Sequence, residues 1–309
     1  MRPASPAAEP PPADGLDSAS EFLPSPCVGV CRLDPETGWC LGCARTADEL
    51  VLWRDLPAHG QLAVWRDLPR RKALLGLAFR LLPWQGRSLL DRLVDIGTAP
   101  GAAWSIGVRG AAAELAAPPG AAIRAERAAD QLILRTPGGA LGLAAPPGTR
   151  AFELVGRSGR AERLVLALHR ARITASFAAG IAEFGPDDQA LDVGRRSERL
   201  FDLGLGCPPI RFCVRTGDPS LVARLRAAAG TDALAPTTGL VPHLLAISPD
   251  RVVASPAGRI EVTGPIQREA SSGPCTRLRP DLLAQGRPPE PGFALPEGYV
   301  ACVTLALGH

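Results

Sequence analysis

The spacing of apolar and polar positions divides the chain into stretches of different character. Residues 1–22 mix Pro, Ala and Ser with scattered acids. Such a segment has too little apolar surface to offset its ordering entropy, so a disordered tail is expected. At Thr46-Ala-Asp-Glu49 the chain carries a helix-opening capping box, followed by Leu50 and Trp53. The pentapeptide Trp53-Arg-Asp-Leu-Pro57 recurs as Trp65-Arg-Asp-Leu-Pro69. That is too short for a repeat architecture and reads as a local duplication. Pro57 and Pro69 are each expected to end or kink a helix.

From Arg70 to Leu82 the pattern is helical, with Leu74, Ala78 and Leu81 on one face beside Leu75 and Leu82. Gly86 to Val94 continues it with Leu89, Leu90 and Leu93. Residues 70–98 are therefore expected to form a helical hairpin linker. Residues 97–120 are rich in Gly, Ala and Pro around one apolar patch at Trp104–Val108.

Beyond about residue 121 the apolar period shortens to two. Gln131–Arg135 and Ala140–Leu143 flank Pro137-Gly138-Gly139, a hairpin signal. Ala151–Val155, Arg163–Leu168 and Ile210–Arg215 read as strands. Arg251–Ala254 and Arg259–Thr263 flank the turn Ser255-Pro-Ala-Gly258. In the latter strand Ile260 and Val262 point inward, and Arg259, Glu261 and Thr263 outward. Asp218-Pro219 opens a helix as N-cap and first position, with Leu221, Val222 and Leu225 as its stripe and Gly230 as its stop. Tyr299–Leu307 is apolar on both faces, the mark of a buried central strand. One clear helix among many hairpins argues for the α+β class with a largely antiparallel sheet.

Composition narrows the picture. Across 309 residues the hydrophobic fraction of 46% supports a sizeable core, and the formal net charge is only +3. With aromatics at 5%, a nucleic-acid partner is not expected. The basic run Arg70-Arg71-Lys72 is short and surrounded by Asp55, Asp67, Asp91 and Asp95, so it reads as a solvated helix face. No apolar run reaches the length of a membrane span, and no signal segment is visible. A cytoplasmic location with no membrane partner is expected.

The chemistry concentrates in the cysteines. Cys27, Cys31, Cys40 and Cys43 fall within seventeen residues, spaced C-x3-C-x8-C-x2-C. Cys40-Leu-Gly-Cys43 lets two sulfurs converge from one tight turn, and two such pairs build a tetrahedral sulfur cage. The same ligands hold iron–sulfur clusters. Sulfur excludes magnesium and calcium but does not separate zinc from iron. Two disulfides would need an oxidising compartment, and the remaining alternative is four unligated thiols. Trp53 is expected as a lid over the cage, or simply as a core residue of a small module.

Ser25-Pro26-Cys27, Cys31, Asp34, Gly38, Cys40, Gly42-Cys43, Arg45-Thr46, Glu49 and Trp53 together resemble the bacterial four-cysteine domain of unknown function 1289, described as a predicted iron–sulfur protein family. The resemblance covers roughly residues 24–56 and implies the four cysteines as ligands. Ala44 stands where glycine is frequent in that family. Phe201–Gly206 and Phe212–Thr216 resemble only uncharacterised proteobacterial proteins.

Elsewhere the candidates are weaker. Cys207, Cys213, Cys275 and Cys302 lack knuckle spacing. His59, His169, His243 and His309 stand apart from one another. Cys207 with His169 or His243 would make a Cys–His hydrolase pair. Asp187, Asp188 and Asp192 form an acidic cluster that reads as an exposed turn. Gly204-Leu-Gly206 is followed by Cys-Pro-Pro, which is no dinucleotide fingerprint.

The expected organisation is a tail over 1–22, a four-cysteine metal module over 23–69, the helical linker over 70–98 and an α+β domain over 99–309. The expected function is metal binding, by zinc or an iron–sulfur cluster, in a module tethered to a domain that binds a protein or small-molecule partner. An iron–sulfur redox sensor, or an enzyme with its site in the C-terminal domain, is the alternative. No catalytic constellation is recognisable.

Overall fold

The structure is a computed structural model that describes residues 23–28, 32–108, 111–156, 160–173, 180–205, 209–233, 235–266, 273–278 and 295–307. The expected tail over 1–22 lies outside these. The chain forms two compact units, Met1–Pro83 and Trp84–His309. The stretch expected as a linker, 70–98, is thus divided between them.

The first unit holds α1 (Ala47–Val51), α2 (Ala58–Leu74) and β1 (Phe79–Leu81). Pro57 is the N-cap of helix α2, and of the two outcomes expected at Pro69, an end or a kink, the helix does not end there. A proline inside a helix costs about 3 kcal/mol through its missing donor and ring clash. Gln61, Val64, Trp65, Leu68 and Lys72 are all buried along α2, and that burial outweighs the defect. The two copies of the pentapeptide therefore differ: Trp53–Leu56 forms turns after α1, while Trp65–Pro69 is helical. The expected helix from Arg70 to Leu82 is also corrected. Gly76 (φ +65°) follows the helix end, and Phe79 and Leu81 are buried on either side of half-buried Arg80. That is the period of a strand.

The second unit begins with α3 (Gly86–Gly97) and the hairpin β2 (Ala103–Val108) and β3 (Ala111–Ala116). It continues through β4 (Arg124–Ala128), β5 (Gln131–Thr136), β6 (Gly139–Ala144), β7 (Arg150–Val155) and β8 (Ala161–His169). Next come β9 (Ala182–Pro186), β10 (Arg199–Asp202), β11 (Arg211–Thr216), α4 (Pro219–Ala227) and α5 (Leu240–Ile247). The unit closes with β12 (Asp250–Ser255), β13 (Gly258–Val262), β14 (Cys275–Leu278) and β15 (Tyr299–Ala306).

Its strands form two sheets, β7-β8-β15-β2-β3-β14 and β4-β5-β6-β13-β12-β11-β10-β9. The ladders are antiparallel, so the fold is α+β with mostly antiparallel sheet. β15 lies between β8 and β2, the central position its two apolar faces require. Asp218 caps α4 by accepting the Leu221 N–H at 2.8 Å. The β2–β3 hairpin arises from the Gly/Ala/Pro-rich stretch, where alanine carries little strand signal.

The two sheets pack face to face. The row Val253, Ile260, Leu141 and Leu134 crosses four neighbouring strands and is fully buried. From the facing sheet, Val303 and Ile106 approach Gly258 and Leu115 approaches Gly139 of the same face. The layers approach so closely at Gly258 that a Cβ there would lie 2.6 Å from a Val303 methyl. Helix α3 buries Leu89, Leu90 and Leu93, and its Gly97 carbonyl accepts from the Trp104 indole N–H at 3.0 Å.

The outer face of the eight-stranded sheet departs from expectation. Arg259 and Glu261 do point away from the core, but they are not solvated. The segment from Asp187 to Glu198 covers them, with Leu191 over Gly142 and its N–H on Glu261 at 3.0 Å. Arg215, 1% exposed, lies beneath and donates to Asp187 (3.1 Å), Glu261 (2.7 Å) and Asp250 (2.7 Å). Arg259 joins Asp187 and Glu261, and Arg195 joins Asp250. Asp187 is therefore a buried counter-ion of two arginines, not part of an exposed acidic turn. Asp192 caps a short 3-10 turn, accepting the Gly194 N–H at 2.9 Å. Asp188 is exposed as expected.

Two outcomes follow from this packing. A Cβ at Gly97 would lie 2.4 Å from the Trp104 ring, so Gly97→Ala should lose about 2 kcal/mol of stability in urea denaturation, the cost of overpacking a filled core. Glu183 is bonded by Arg226 and Arg199, which hold its carboxyl down to about 2. Its folded pKa lies below the unfolded value of ~4.3, so its contribution is present above that value and lost as pH falls to 2. Glu183→Gln should be less stable than wild type at pH 6, and the difference should close on acid titration between those limits.

Candidate metal centre

Local sequence shapes the second knuckle. Leu33 bridges Cys40 in an antiparallel contact, and the Leu41 N–H donates to the Arg32 carbonyl at 2.8 Å. The Ala44 N–H returns to the Cys40 carbonyl at 2.7 Å, which closes a tight turn. That turn needs a left-handed residue, and Ala44 takes it with φ +62°. Glycine meets this conformation without Cβ strain, which accounts for its frequency at this position in the resembling family.

Cys40 and Cys43 are buried, at 2% and 1% exposure. The Gly42 N–H donates to Cys40 Sγ at 3.4 Å. Burial pushes the Cys40 thiol up, but the N–H groups of Cys43 and Gly42, the Cys43 thiol and the Arg45 charge together bring it below its ordinary value. Burial pushes the Cys43 thiol up, and Arg45 offsets only part of this. Neither cysteine carries a disulfide.

Arg45 is 2% exposed. Its Nε–H donates to Cys43 Sγ at 3.4 Å, Nη1 to the Glu49 carbonyl at 3.4 Å, and the guanidinium lies 5.0 Å from the Trp53 ring centre. Among the described residues it has no carboxylate partner. Trp53 is buried, and the group on its ring is Arg45, which stands between indole and sulfur.

The capping box is complete. Thr46 Oγ1 accepts the Glu49 N–H at 3.2 Å and Glu49 Oε2 accepts the Thr46 N–H at 2.9 Å. Arg71 reaches from α2 to both Glu49 oxygens, at 2.6 and 3.0 Å, to Asp67 at 2.6 Å and to the Ala44 carbonyl at 3.4 Å. Its guanidinium also lies 5.6 Å from the Trp39 ring centre. Elsewhere on α2, buried Gln61 accepts the Leu23 N–H (2.8 Å) and donates to the Trp53 carbonyl (2.9 Å). The Trp65 indole donates to the Pro24 carbonyl at 3.0 Å. The segment leading to Cys27 and the turn at Cys43 are thus tied to the same helix. The basic run is consequently no solvated face: Arg71 clamps the knuckle, Lys72 is buried, and only Arg70 is largely exposed.

Of the four expected ligands, the structure brings Cys40 and Cys43 together. Cys27 is half-buried with its N–H on Ser25 Oγ at 3.3 Å. Cys31 lies outside the described residues, among which no three His, Cys, Asp or Glu side chains gather as a metal site. In sequence, Arg45 falls in the resembling family's motif and Arg71 in a basic run that reads as solvated, and neither has an expected role at the cysteine turn. The only signal for such a role was charge beside buried aromatic and cysteine positions.

The other candidates separate. Cys213 and Cys302 are buried strand residues whose thiols burial pushes up, to about 12 for Cys302. Cys275 Sγ donates to Glu114 at 3.8 Å. Cys207, Gly206 and His309 lie outside the described residues. His169 Nδ1 accepts the Ala171 N–H at 3.3 Å, and its ring packs edge-on to Tyr299. His243 Nε2 lies 3.4 Å from Ser220 Oγ on the surface.

Fold and site define the chain as a thiol-bearing helical unit followed by an α+β sandwich. The chain belongs to a family of unknown function, DUF6925, whose model matches residues 88–309. A second model, a protein of unknown function, DUF1289, matches residues 25–72. The latter runs through Trp65 and Arg71 of α2, beyond the stretch recognised by its cysteines. No curated protein and no solved structure matches the chain. Among the described residues no helix is long and apolar enough to cross a membrane.

The clamp predicts graded losses. Thr46→Ala should cost about 1 kcal/mol in chemical denaturation, one cap bond. Arg71→Met should cost more, about 2 kcal/mol, because Glu49 loses its counter-ion while Asp67 keeps only the exposed Arg70.

Proposed function

We propose that Cys27, Cys31, Cys40 and Cys43 hold one metal centre, zinc or an iron–sulfur cluster, and that the α+β unit binds a protein or small-molecule partner. The observation that carries the metal reading is Arg45. A guanidinium keeps its charge at every accessible pH. Burying it without a counter-charge costs several kcal/mol. Among the described residues, the acidic groups positioned to supply that charge are the Cys43 and Cys40 sulfurs. Metal binding is what keeps buried thiols as thiolates at neutral pH. The N–H donors of Gly42 and Arg45 act as outer-shell partners that orient the sulfurs and spread their charge.

A tetrathiolate centre contributes on the order of 10 kcal/mol to a small unit. The zinc form would be structural. A cluster would make the thiolates an electron-transfer or sensing site, and Arg45 would favour its more negative, reduced state.

The test is metal and sulfide content of protein purified without oxygen. One zinc, or iron with sulfide, is expected per chain. Cys43→Ser should lose the metal and unfold the first unit. Full metal content in the Cys27→Ser/Cys43→Ser double variant would show the site to be elsewhere. Arg45→Met should weaken metal retention against a chelator by about 10- to 100-fold.

A further inference from the structure

The charge argument that points from Arg45 to thiolates applies to a second arginine. Arg251 on β12 is 4% exposed. Its ladder partners are Val214 and Val262, and it shares the inner face of its sheet with Val253 and Ile260. The side chain therefore enters the layer between the two sheets. There its Nε donates to Thr276 Oγ1 at 3.3 Å, and Nη1 donates to the carbonyls of Pro249 (2.9 Å) and Gly264 (2.6 Å). Thr276 belongs to β14 of the facing sheet and pairs with buried Ala113, so the arginine bridges the sheets beside an edge strand.

These three acceptors are neutral. Among the described residues Arg251 has no carboxylate partner, and Nη2 has no hydrogen-bond acceptor. The adjacent Asp250 points to the opposite face and serves Arg215 and Arg195. Burial lowers the Arg251 pKa, and Asp250 and the neighbouring Cys275 thiol offset this only in part. The contrast within one strand pair is sharp: Arg215 has three carboxylates within 3.1 Å, whereas Arg251 has none among the described residues.

We infer that Arg251 is the anchor of an oxyanion-binding site at this edge of the sandwich, taking the carboxylate or phosphate group of a small ligand. The Nη2 hydrogens face one oxygen of the anion, and the Thr276 hydroxyl, which accepts from Nε, donates its own proton to the anion. A guanidinium edge with a hydroxyl beside it is a common oxyanion grip. Val214 and Val262 exclude water and strengthen the pairing. The proposal rests on reading the second unit as a ligand-binding domain and is independent of the metal centre.

The experiment is titration of the full chain with inorganic phosphate and, separately, acetate, against chloride at matched ionic strength. Thermal unfolding and calorimetry are followed, with metal content measured on the same samples. The expected result is a saturable rise in Tm of about 3 °C with at least one oxyanion and none with chloride. Preference for phosphate or for acetate identifies the ligand group. Arg251→Met should abolish the response, and without anion it should be no less stable than wild type, since the uncompensated charge is gone. Thr276→Val, close to isosteric, should weaken the midpoint several-fold. Absence of a saturable shift in wild type, an equal shift in Arg251→Met, or an unchanged midpoint in Thr276→Val would overturn the proposal, whatever the metal content.

Discussion

A guanidinium carries its charge wherever the chain places it, and burying one obliges the surrounding structure to supply an anion or several acceptors. This chain has 34 basic residues, with Lys72 its only lysine, so almost every buried cation is an arginine. Arg215 draws Asp187, Asp250 and Glu261 under one segment, and that segment becomes a cover over an outer sheet face. Arg71 draws Glu49 and Asp67 together and fixes α2 against the cysteine turn. Arg45 has sulfur in place of a carboxylate. Arg251 has carbonyls and a hydroxyl. The kind of counter-charge each receives separates scaffold from candidate site.

In the first unit this requirement joins structure to chemistry. The cysteine turn is short and cannot bury much apolar surface. Its geometry comes from backbone bonds around Cys40, from the left-handed Ala44 and from the Arg71 side chain of α2, 27 residues from Ala44 in sequence. Removing that helix would leave the second knuckle without its Arg71 clamp and the first without its Gln61 and Trp65 anchors. The family match through residue 72 coincides with the last turn of this support.

In the second unit the core is ordinary hydrophobic packing between two antiparallel sheets, and the polar groups lie at its margins. Small residues decide the close approaches. Gly258 lets the sheets meet at Val303, and Gly97 admits the Trp104 ring. The ion cluster on the outer face replaces a hydrophobic layer that a loop alone could not provide. Buried charge of this kind adds little net stability when complete and destabilises strongly when one partner is removed, so it fixes the position of the cover more than it strengthens the fold.

Local signals in the sequence were enough for the α+β class, the hairpins at residues 131–144 and 250–262, the Asp218 cap, the central β15, the capping box at Thr46 and the cysteine spacing. Each depends on residues within a few positions of one another or on a strict alternation. What required tertiary structure was whatever distant partners decide. The same five residues form turns at Trp53 and helix at Trp65: both tryptophans are buried, but Leu68 of the second copy is buried too, where Leu56 of the first is only half-buried. Pro69 does not stop α2 because burial on both sides outweighs the lost bond. Phe79–Leu81 is a strand because its alternation, rather than the leucine count before it, meets a core. Arg259 and Glu261 face away from the core, as their alternation requires, but a segment some seventy residues distant covers them. No local pattern encodes which carboxylate, sulfur or carbonyl a buried arginine will meet, and that choice places the candidate sites.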